Sequence, residues 1–241
     1  MRPHRCSSCP APIVFDAVGS TNDWLTANAA THPDGIWVRA DQQTQGHGRQ
    51  GRHWQSPPGN LHASTLVRPR AGEGPPQQLS FVAALALADA VAPWTGRLRL
   101  SLKWPNDVLL QGGKLAGILL EHANGTTVVG FGINVRAEPM GLDRKVASLA
   151  LATPDQPNPT VLLAELAPAF ARWRDLWRED GFAPIRRAWL TRATPVGWQI
   201  QVHQGDTLAV GKFAGIAEDG ALLLQRDGRV DTIHAGEVQP L

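Results

Sequence analysis

The chain has 241 residues, of which 43% are hydrophobic, so it can bury a sizeable core as one main domain with a small appendage. Its 23 Lys and Arg residues against 21 Asp and Glu residues give a net charge of +2. This balance argues against a protein that coats nucleic acid, because such domains are markedly basic. No apolar run approaches the roughly 18 residues that a membrane helix needs, and the N-terminus lacks the apolar core of a secretion signal. These features predict a cytoplasmic protein without a membrane partner.

The only two cysteines, Cys6 and Cys9, have a CxxC spacing that is found in zinc and redox sites. A structural zinc ion needs four ligands, and His4 supplies only a third one nearby, while a redox CxxC begins a helix. We therefore expect a reduced tail here, and we name no metal ligands in the chain.

The first predicted elements are one helix and two strands. Ser20 followed by Asp23 resembles a capping box, which predicts a helix over Trp24–Ala30. Ile36–Ala40 and Leu61–Val67 then have the apolar patterns of two strands.

A glycine-rich loop with the sequence GHGRQGR, from Gly46 to Arg52, joins these two strands. It spells the GxGxxG pattern of dinucleotide-binding proteins, but that fingerprint must begin a helix, and the next residues include two prolines and a glycine. The loop carries His47, Arg49 and Arg52, so it has both the freedom to wrap an anion and the charge to neutralise it. It predicts a phosphate-binding loop. Alone, it would also be compatible with a solvated basic turn.

The next predicted helix and strand follow the two strands in the chain. Leu79–Val91 is rich in alanine and too long for a strand, so it predicts a buried helix. Thr126–Val135 predicts a strand in which Gly130 and Gly132 leave room for a planar ring against the backbone, with Asn134 as a polar group at its end.

A second polar cluster lies between that helix and that strand, in the segment KWPNDVLLQGGKLAGILLE from Lys103 to Glu121. Two apolar runs flank a Gly-Gly pair, which is a hairpin signal. Lys114 follows the turn, while Asn106 and Asp107 lie at the end of the preceding strand. Gly117, inside the next strand, indicates the close approach of a ligand or another backbone. Taken alone, the segment is also compatible with an ordinary hairpin that exposes a lysine.

The last third of the chain predicts a change of architecture. Residues 136–159 have the composition of a loop, and Thr160–Glu179 predicts a helix with a kink at Pro168 and a stripe of Trp residues toward the core. After it, four or five short strands separated by Gly-Asp and Asp-Gly turns predict a small antiparallel barrel. The predicted domains are therefore residues 1–193 and 194–241.

The two polar clusters, in this order, resemble the catalytic domain of biotin protein ligases. That family has a GRGRxGR-type loop and a KWPND segment before a KLAGIL-type strand, and this chain has GHGRQGR, KWPND and KLAGIL at closely matching separations. Further matches are the early STN motif, the glutamine before the loop and a later GxGxN strand, here GFGINV. The chain departs from the pattern at His47, where the family has an arginine, and at Gln50.

The resemblance implies an α+β fold, in which helices flank the mixed β-sheet of a class II synthetase-like (biotin–lipoate ligase) catalytic domain and an SH3-like β-barrel follows. It implies an ATP-dependent ligase that activates biotin as biotinyl-5′-AMP and transfers it to one lysine of a biotin carboxyl carrier protein domain, with Mg²⁺ as cofactor. About nineteen residues precede Ser20, too few for the helix-turn-helix of bifunctional members, so we expect the monofunctional type without DNA binding. A homodimer is left open. A lipoate or octanoyl transferase is the rival, although its signatures differ.

The resemblance also implies roles for the matching residues. Arg49 and Lys114 would bridge the biotin carboxylate and the α-phosphate, and Asp107 would receive the ammonium group of the carrier lysine. The residues expected to bind biotin are Ser20, Thr21, Asn22, Gln43, Gly46, His47, Arg49, Lys114 and Gly117. The residues expected to bind ATP or the adenylate are Arg49, Arg52, Trp54, Asn106, Lys114, Gly132 and Asn134.

Overall fold

A computed structural model of the protein describes residues 10–141 and 145–240. The predictions for Cys6 and Cys9 lie outside these residues. The helices are α1 (Thr21–Ala27), α2 (Leu79–Thr95), α3 (Leu149–Ala152), α4 (Pro159–Asp180) and α5 (Phe182–Leu190). The strands are β1 (Ile13–Val18), β2 (Trp37–Gln43), β3 (Leu61–Val67), β4 (Leu100–Lys103), β5 (Asp107–Leu110), β6 (Gly113–Ala123), β7 (Thr126–Ile133), β8 (Gln199–Gln204), β9 (Thr207–Ile216), β10 (Leu222–Arg226), β11 (Arg229–Ile233) and β12 (Glu237–Pro240).

The first seven strands form one mixed sheet in the order β1-β2-β3-β7-β6-β5-β4. Only β1 and β2 pair in parallel, and the other pairs are antiparallel. Helices α2 and α4 pack on one face of this sheet and α1 packs on the other. The α+β fold class, with helices flanking a mixed sheet, is therefore confirmed.

Strand β3 is buried on both faces because both faces of the sheet are covered. Leu61, Ala63 and Val67 join the main core, whereas Leu66 joins a smaller core with Leu25 of α1. Successive side chains of a strand point to opposite faces, so Ser64 faces the α1 side. The same alternation in β7 places its glycines on the α1 side, while the intervening apolar residues enter the main core.

Helix α2 is apolar around almost its whole circumference. Together with the preceding turn it spans Pro76–Thr95, with a mean hydropathy of 1.2, which by length and composition is enough to cross a membrane. The prediction that no apolar run approaches that length is therefore wrong. Because 78% of the relevant window is buried inside the protein, packing between the sheet and α4 accounts for this apolar surface.

The structure differs from the predicted elements mainly at their edges. The first helix begins at Thr21 instead of Trp24, with Ser20 as the N-cap whose Oγ accepts from the Asp23 backbone N–H at 3.3 Å. Strand β1 and helix α5 were not predicted, and the short α3 lies within the predicted loop. Helix α4 continues through Pro168 as one element.

The last five strands form a second, antiparallel sheet in the order β11-β10-β9-β8-β12. It contacts the first part of the chain through several hydrogen bonds. Trp104 Nε1 donates to the Gly220 carbonyl at 3.1 Å, and Gln78 Nε2 donates to the Glu218 carbonyl at 2.8 Å. The SH3-like geometry of this sheet stays a prediction.

Asn60 supports the chain where it leaves β7, and it gives the first testable prediction. Its Oδ1 accepts from the backbone N–H groups of Val135, Arg136 and Ala137, each at 3.0 Å, and its side chain is buried. Asn60→Ala leaves these donors without that acceptor, so we expect the free energy of unfolding to fall by about 2–4 kcal/mol. Urea denaturation measures the loss. Asn60→Asp keeps the accepting oxygen but loses the Nδ2 donor to the Ala137 carbonyl at 2.8 Å. We expect it to lose less stability than Asn60→Ala, and an equal loss in both variants would contradict the explanation.

Candidate active site

A pocket lies on the α1 side of the first sheet, over β7 and β6, and encloses about 850 Å³ including its open mouth. The glycine-rich loop forms one wall. The KWPND segment and the start of β6 form the opposite wall, so the structure brings the two polar clusters of the sequence to one cavity.

At the floor of the pocket the backbone of the sheet faces the cavity directly, because β6 and β7 carry glycines there, which have no side chains of their own to cover it. A Cβ atom at Gly132 would lie 2.4 Å from Cε2 of Trp54, and one at Gly117 would lie 3.1 Å from its Cζ3. Contact of a ligand ring with β7 stays a prediction, whereas in this structure the planar ring against Gly132 is the indole of Trp54. Its buried Nε1 has no hydrogen-bond partner among the described residues, so it remains a donor for a bound molecule.

A hydrogen-bond network forms the deep end of the pocket, where α1 begins. Gln43 Oε1 accepts from the Thr21 backbone N–H at 2.8 Å and from its Oγ1 at 3.0 Å. Ser64 Oγ lies 2.7 Å from Thr21 Oγ1 and 2.6 Å from Asn22 Oδ1. Gly130 leaves room for this amide, since a Cβ there would lie 2.2 Å from Asn22 Oδ1. The pocket thus presents fixed donors and acceptors at this end.

The glycine-rich loop folds back on itself as a narrow turn. His47 and His53 form an isolated antiparallel bridge, Gly48 N–H donates to the Arg52 carbonyl at 2.7 Å, and Gln50 has a φ of 59°. Only a short 3₁₀ turn forms in it, so the prediction that no α-helix starts here is confirmed. Gly46 does not line the pocket, but the Trp54 carbonyl and the Gln43 side chain would crowd any Cβ at that position.

Positive charge collects at the mouth of the pocket. Lys114 Nζ lies 2.5 Å from Asp107 Oδ1, and Lys103 Nζ lies 3.5 Å from its Oδ2. Lys114 also lies over the Trp54 ring, 5.6 Å from the centroid. Burial lowers the pKa of the Arg49 guanidinium, while nearby carboxylates, including Asp107, act in the opposite direction. Arginine keeps its charge in proteins, so this mouth holds three cations around one carboxylate.

The second sheet completes the mouth of the pocket. Arg49 Nη1 donates to the Gly236 carbonyl at 3.3 Å, and Arg52 forms an ion pair with Glu237 at the start of β12. The two loop arginines are therefore positioned by a strand that lies almost 190 residues further along the chain.

Thirteen of the predicted site residues line this pocket. They are Ser20, Thr21, Asn22, Gln43, His47, Arg49, Arg52, Trp54, Asn106, Asp107, Lys114, Gly117 and Gly132. Asn134 does not line it. Its buried amide donates to the backbone carbonyls of Lys114 and Ala147, at 3.2 and 3.1 Å, so its observed contact braces the strand that carries Lys114. A direct contact of Asn134 with a nucleotide stays a prediction.

Sequence reasoning missed several residues of this region. Ser64 looked like an ordinary strand residue, and its position between two core residues of β3 was the available signal. Glu237 lies in the second sheet, where nothing in the sequence linked it to the loop. Glu121 was also missed, and its Oε2 accepts a hydrogen bond from Asn22 Nδ2 at 2.7 Å.

One group of side chains beside the pocket has the residue types of a metal site. The ligand atoms of Asp23, His47 and Glu121 all lie within 4.8 Å of one another. No metal ligand was named from the sequence. These groups also form ion pairs with each other, His47 Nε2 lying 3.3 Å from Glu121 Oε1 and 3.8 Å from Asp23 Oδ1.

The arrangement suits a reaction between two anions. Lysine and arginine side chains at the mouth can neutralise two negatively charged groups held close together, and the polar network at the deep end can orient a neutral ring. Among the lining residues, we find no nucleophile paired with a base in the described part of the chain. The protein therefore offers positioning and charge.

Comparison with known proteins finds two family matches. The biotin/lipoate A/B protein ligase family matches residues 14–137, and the biotin protein ligase C-terminal domain matches residues 197–239. The biotin–[acetyl-CoA-carboxylase] ligase of Paracoccus denitrificans is 43% identical over 84% of this chain and 89% of its own length. The ligase of the same name from Mycobacterium tuberculosis is 37% identical over 93% and 87%. The structure of the Aquifex aeolicus biotin protein ligase with biotin and ATP superposes with a TM-score of 0.83, at 29% identity, over 95% of this chain and 97% of that one.

Gly132 tests whether the glycine floor of the pocket matters for ligand binding. Gly132→Ala places a methyl group where the Trp54 ring lies, so the ring must shift, and overpacking of this size costs about 1–3 kcal/mol. We expect the affinity for ATP, measured by calorimetry, to fall by about tenfold in a protein that remains folded. Gly19→Ala is the control, because its nearest neighbour, Gln45 Oε1, lies at 3.5 Å. Unchanged ATP affinity in Gly132→Ala would contradict a role for Gly132 in the ATP-binding part of the pocket.

Proposed function

The chain belongs to the biotin/lipoate A/B protein ligase family, and on that basis we propose that Lys114 and Arg49 bring together the two anions of its reaction. It is an ATP-dependent ligase that activates biotin as biotinyl-5′-AMP and transfers it to a lysine of a carboxyl carrier protein domain. The observation that carries the proposal is the shared pocket of the glycine-rich loop and the lysine hairpin.

In the first step a carboxylate oxygen of biotin bonds to the α-phosphorus of ATP, and pyrophosphate leaves. No protein nucleophile is needed, but the two negative groups repel each other. Lys114 and Arg49, which line the mouth, neutralise the carboxylate and the α-phosphate. Arg52, now paired with Glu237, is placed to screen the outer phosphates as pyrophosphate leaves.

In the second step the neutral amine of the carrier lysine attacks the acyl carbon of the adenylate, and AMP leaves. The lysine arrives as an ammonium ion, so its proton must be removed. Asp107 is suited to hold this ammonium group and to accept its proton, which then passes to solvent, because its carboxylate already binds two lysine side chains. When Lys114 turns to the adenylate, the carrier lysine takes a place beside Asp107, and Asn106 lies next to it along the pocket wall.

The deep end of the pocket is suited to the ureido ring of biotin. Gln43, Thr21 and Asn22 are held there by mutual hydrogen bonds, so they can recognise donors and acceptors of a neutral ring without reorganising. The indole of Trp54 then lies against the adenylate, and its Nε1 supplies a hydrogen-bond donor. The loop that carries Trp54 also excludes water from the mixed anhydride.

Magnesium is proposed to enter with ATP. The carboxylates that line the pocket are Asp107 and Glu237. The first is held by two lysines and the second by Arg52, so in the described part of the lining neither offers an unpaired carboxylate. Mg²⁺ usually keeps water ligands and binds substrate phosphates, where it neutralises their charge. We therefore assign its ligands to ATP and water and place no protein residue among them.

The location of the protein, its lack of DNA and membrane binding, and its domain division are also proposals. We propose a cytoplasmic enzyme that binds neither DNA nor membranes, which the small net charge and the burial of α2 support. We also propose that residues 1–193 act as the catalytic domain and residues 194–241 as a second domain, which adds Glu237 to the pocket.

The function is tested by incubating the protein with ATP, Mg²⁺, biotin and a carrier domain and measuring the carrier by mass spectrometry. We expect a gain of one biotinyl group, and no gain when lipoate replaces biotin. Lys114→Ala should lower biotin-dependent exchange of pyrophosphate into ATP by about 10²- to 10³-fold, because one preorganised cation is lost. The fold should persist, since Lys114 lies at the pocket mouth.

Lys212→Ala is the matched control for this variant, because Lys212 is exposed on β9, away from the pocket. It should exchange pyrophosphate at the rate of the unaltered enzyme. Normal turnover by Lys114→Ala would remove this lysine from the mechanism, and transfer of lipoate instead of biotin would refute the substrate assignment.

Arg49 is expected to retain the adenylate as well as to assist its formation. Arg49→Ala removes a half-buried cation that donates to the Gly236 carbonyl and interacts electrostatically with Asp107, so biotinyl-5′-AMP should dissociate about 10-fold faster or more, as for the loss of a charged hydrogen bond. Stopped-flow measurement of the off-rate checks this. His53→Ala, in the same turn but exposed, should keep the unaltered off-rate, and an unchanged off-rate in Arg49→Ala would contradict the proposal.

A further inference from the structure

A chain of hydrogen bonds joins the deep end of the pocket to the side of the glycine-rich loop. Ser64 Oγ lies 2.6 Å from Asn22 Oδ1, and Asn22 Nδ2 donates to Glu121 Oε2 at 2.7 Å. The other carboxylate oxygen of Glu121, Oε1, lies 3.3 Å from His47 Nε2. Glu121 therefore touches the pocket wall with one oxygen and the loop with the other.

The partners of His47 decide its protonation state. Its Nδ1 faces the Gln45 carbonyl at 3.3 Å, and its Nε2 faces Glu121 Oε1 at 3.3 Å and Asp23 Oδ1 at 3.8 Å. Carbonyl and carboxylate oxygens accept hydrogen bonds and cannot donate them. Both ring nitrogens must therefore carry a proton to satisfy these contacts, so the observed loop position selects the imidazolium ion.

The electrostatics of His47 agree with this geometry. Partial burial opposes its charge, but the hydrogen bonds to Gln45 and Glu121, with the negative charges of Glu121 and Asp23, outweigh burial and raise the pKa of His47 above its ordinary value of 6.5. The charged groups that act on the ring come from α1, through Asp23, and from β6, through Glu121. Across the turn, His53 pairs with His47 in an isolated antiparallel bridge, and the turn between them carries the charged residues Arg49 and Arg52.

We propose that His47 and Glu121 are positioning residues that fasten the glycine-rich loop against the biotin wall, and that this fastening requires a proton on His47. Because Asn22 holds the same carboxylate, biotin at the deep end and closure of the loop support each other. This inference rests on the proposed function, which assigns biotin to that end of the pocket.

The direction of the pH effect follows from proton uptake. A released loop leaves His47 with its ordinary pKa of 6.5, whereas the fastened loop raises that pKa. Closure is therefore fully supported below pH 6.5 and loses this support as the pH rises through the raised pKa. The KM for biotin should increase with pH, while kcat at saturating biotin should change less. Part-exposed ion pairs correspond to an effect of about two- to fivefold.

The test compares the unaltered enzyme with His47→Arg and Glu121→Gln at about pH 6 and about pH 9, using biotin-dependent pyrophosphate exchange. The unaltered enzyme should show the rise in biotin KM. His47→Arg carries a permanent charge, so its biotin KM should lose this pH dependence. Glu121→Gln keeps an oxygen for Asn22 but loses the charge, so its biotin KM at about pH 6 should resemble that of the unaltered enzyme at about pH 9.

Two controls separate His47 from other histidines and a proton from a metal ion. His53→Asn should keep the pH dependence of the unaltered enzyme. Burial lowers the pKa of His62 in β3 to about 4, so this histidine stays neutral over the whole pH range of the test. The whole series is repeated after EDTA treatment with excess Mg²⁺ restored, because Asp23, His47 and Glu121 could also hold a transition metal.

Three results would overturn the inference: a biotin KM of the unaltered enzyme that does not change with pH, a pH dependence that persists in His47→Arg, or one that EDTA treatment abolishes. None of them touches the proposed function as long as the carrier domain gains a biotinyl group. Failure of the unaltered enzyme to bind biotin in a calorimeter would instead refute the proposed function.

Discussion

The repulsion between a carboxylate and a triphosphate is the constraint on which the rest of this structure depends. Two unit charges 4 Å apart repel by about 4 kcal/mol at the effective dielectric of a protein surface, so cations must reach the reacting pair from more than one side. Lys114 reaches it from the start of β6 and Arg49 from the loop between β2 and β3. Strands β3 and β6 are the two neighbours of β7 in the sheet, and the glycines of β7 let the two segments meet across it.

The glycine floor requires support from the opposite face of the sheet. Where β7 carries Gly130 and Gly132 it has side chains on one face only, and Val129, Phe131 and Ile133 pack from that face into the main core. Helices α2 and α4 bury them, which explains why α2 is apolar all round. The apolar helix, the odd-numbered residues of β7, and the packing of Trp54 and Asn22 against its even-numbered glycines are consequences of one arrangement.

The sequence predicted which residues belong to the site better than it predicted which distant residues contact them. The turn chemistry of the Gly-Gly hairpin and the glycine-rich loop is local, so Lys114 and Arg49 could be placed on the correct elements before any fold was known. Strand β1 escaped prediction because it lies at the sheet edge, where none of its side chains is fully buried. Glu237 could not be assigned to the site, since its contact with Arg52 spans 185 residues and depends on how the two sheets pack.

Strand β6 connects the chemical end of the pocket to its loop. Lys114 lies at its beginning, Gly117 lies under Trp54, and Glu121 lies seven residues after Lys114 beside His47. A single extended strand rises about 3.3 Å per residue, so it places charge neutralisation and loop fastening at well-separated positions along β6. The loop in turn returns Arg49 to the end that holds Lys114. A change in protonation at His47 can therefore alter the position of Arg49 through the few loop residues between them, without any movement of the sheet.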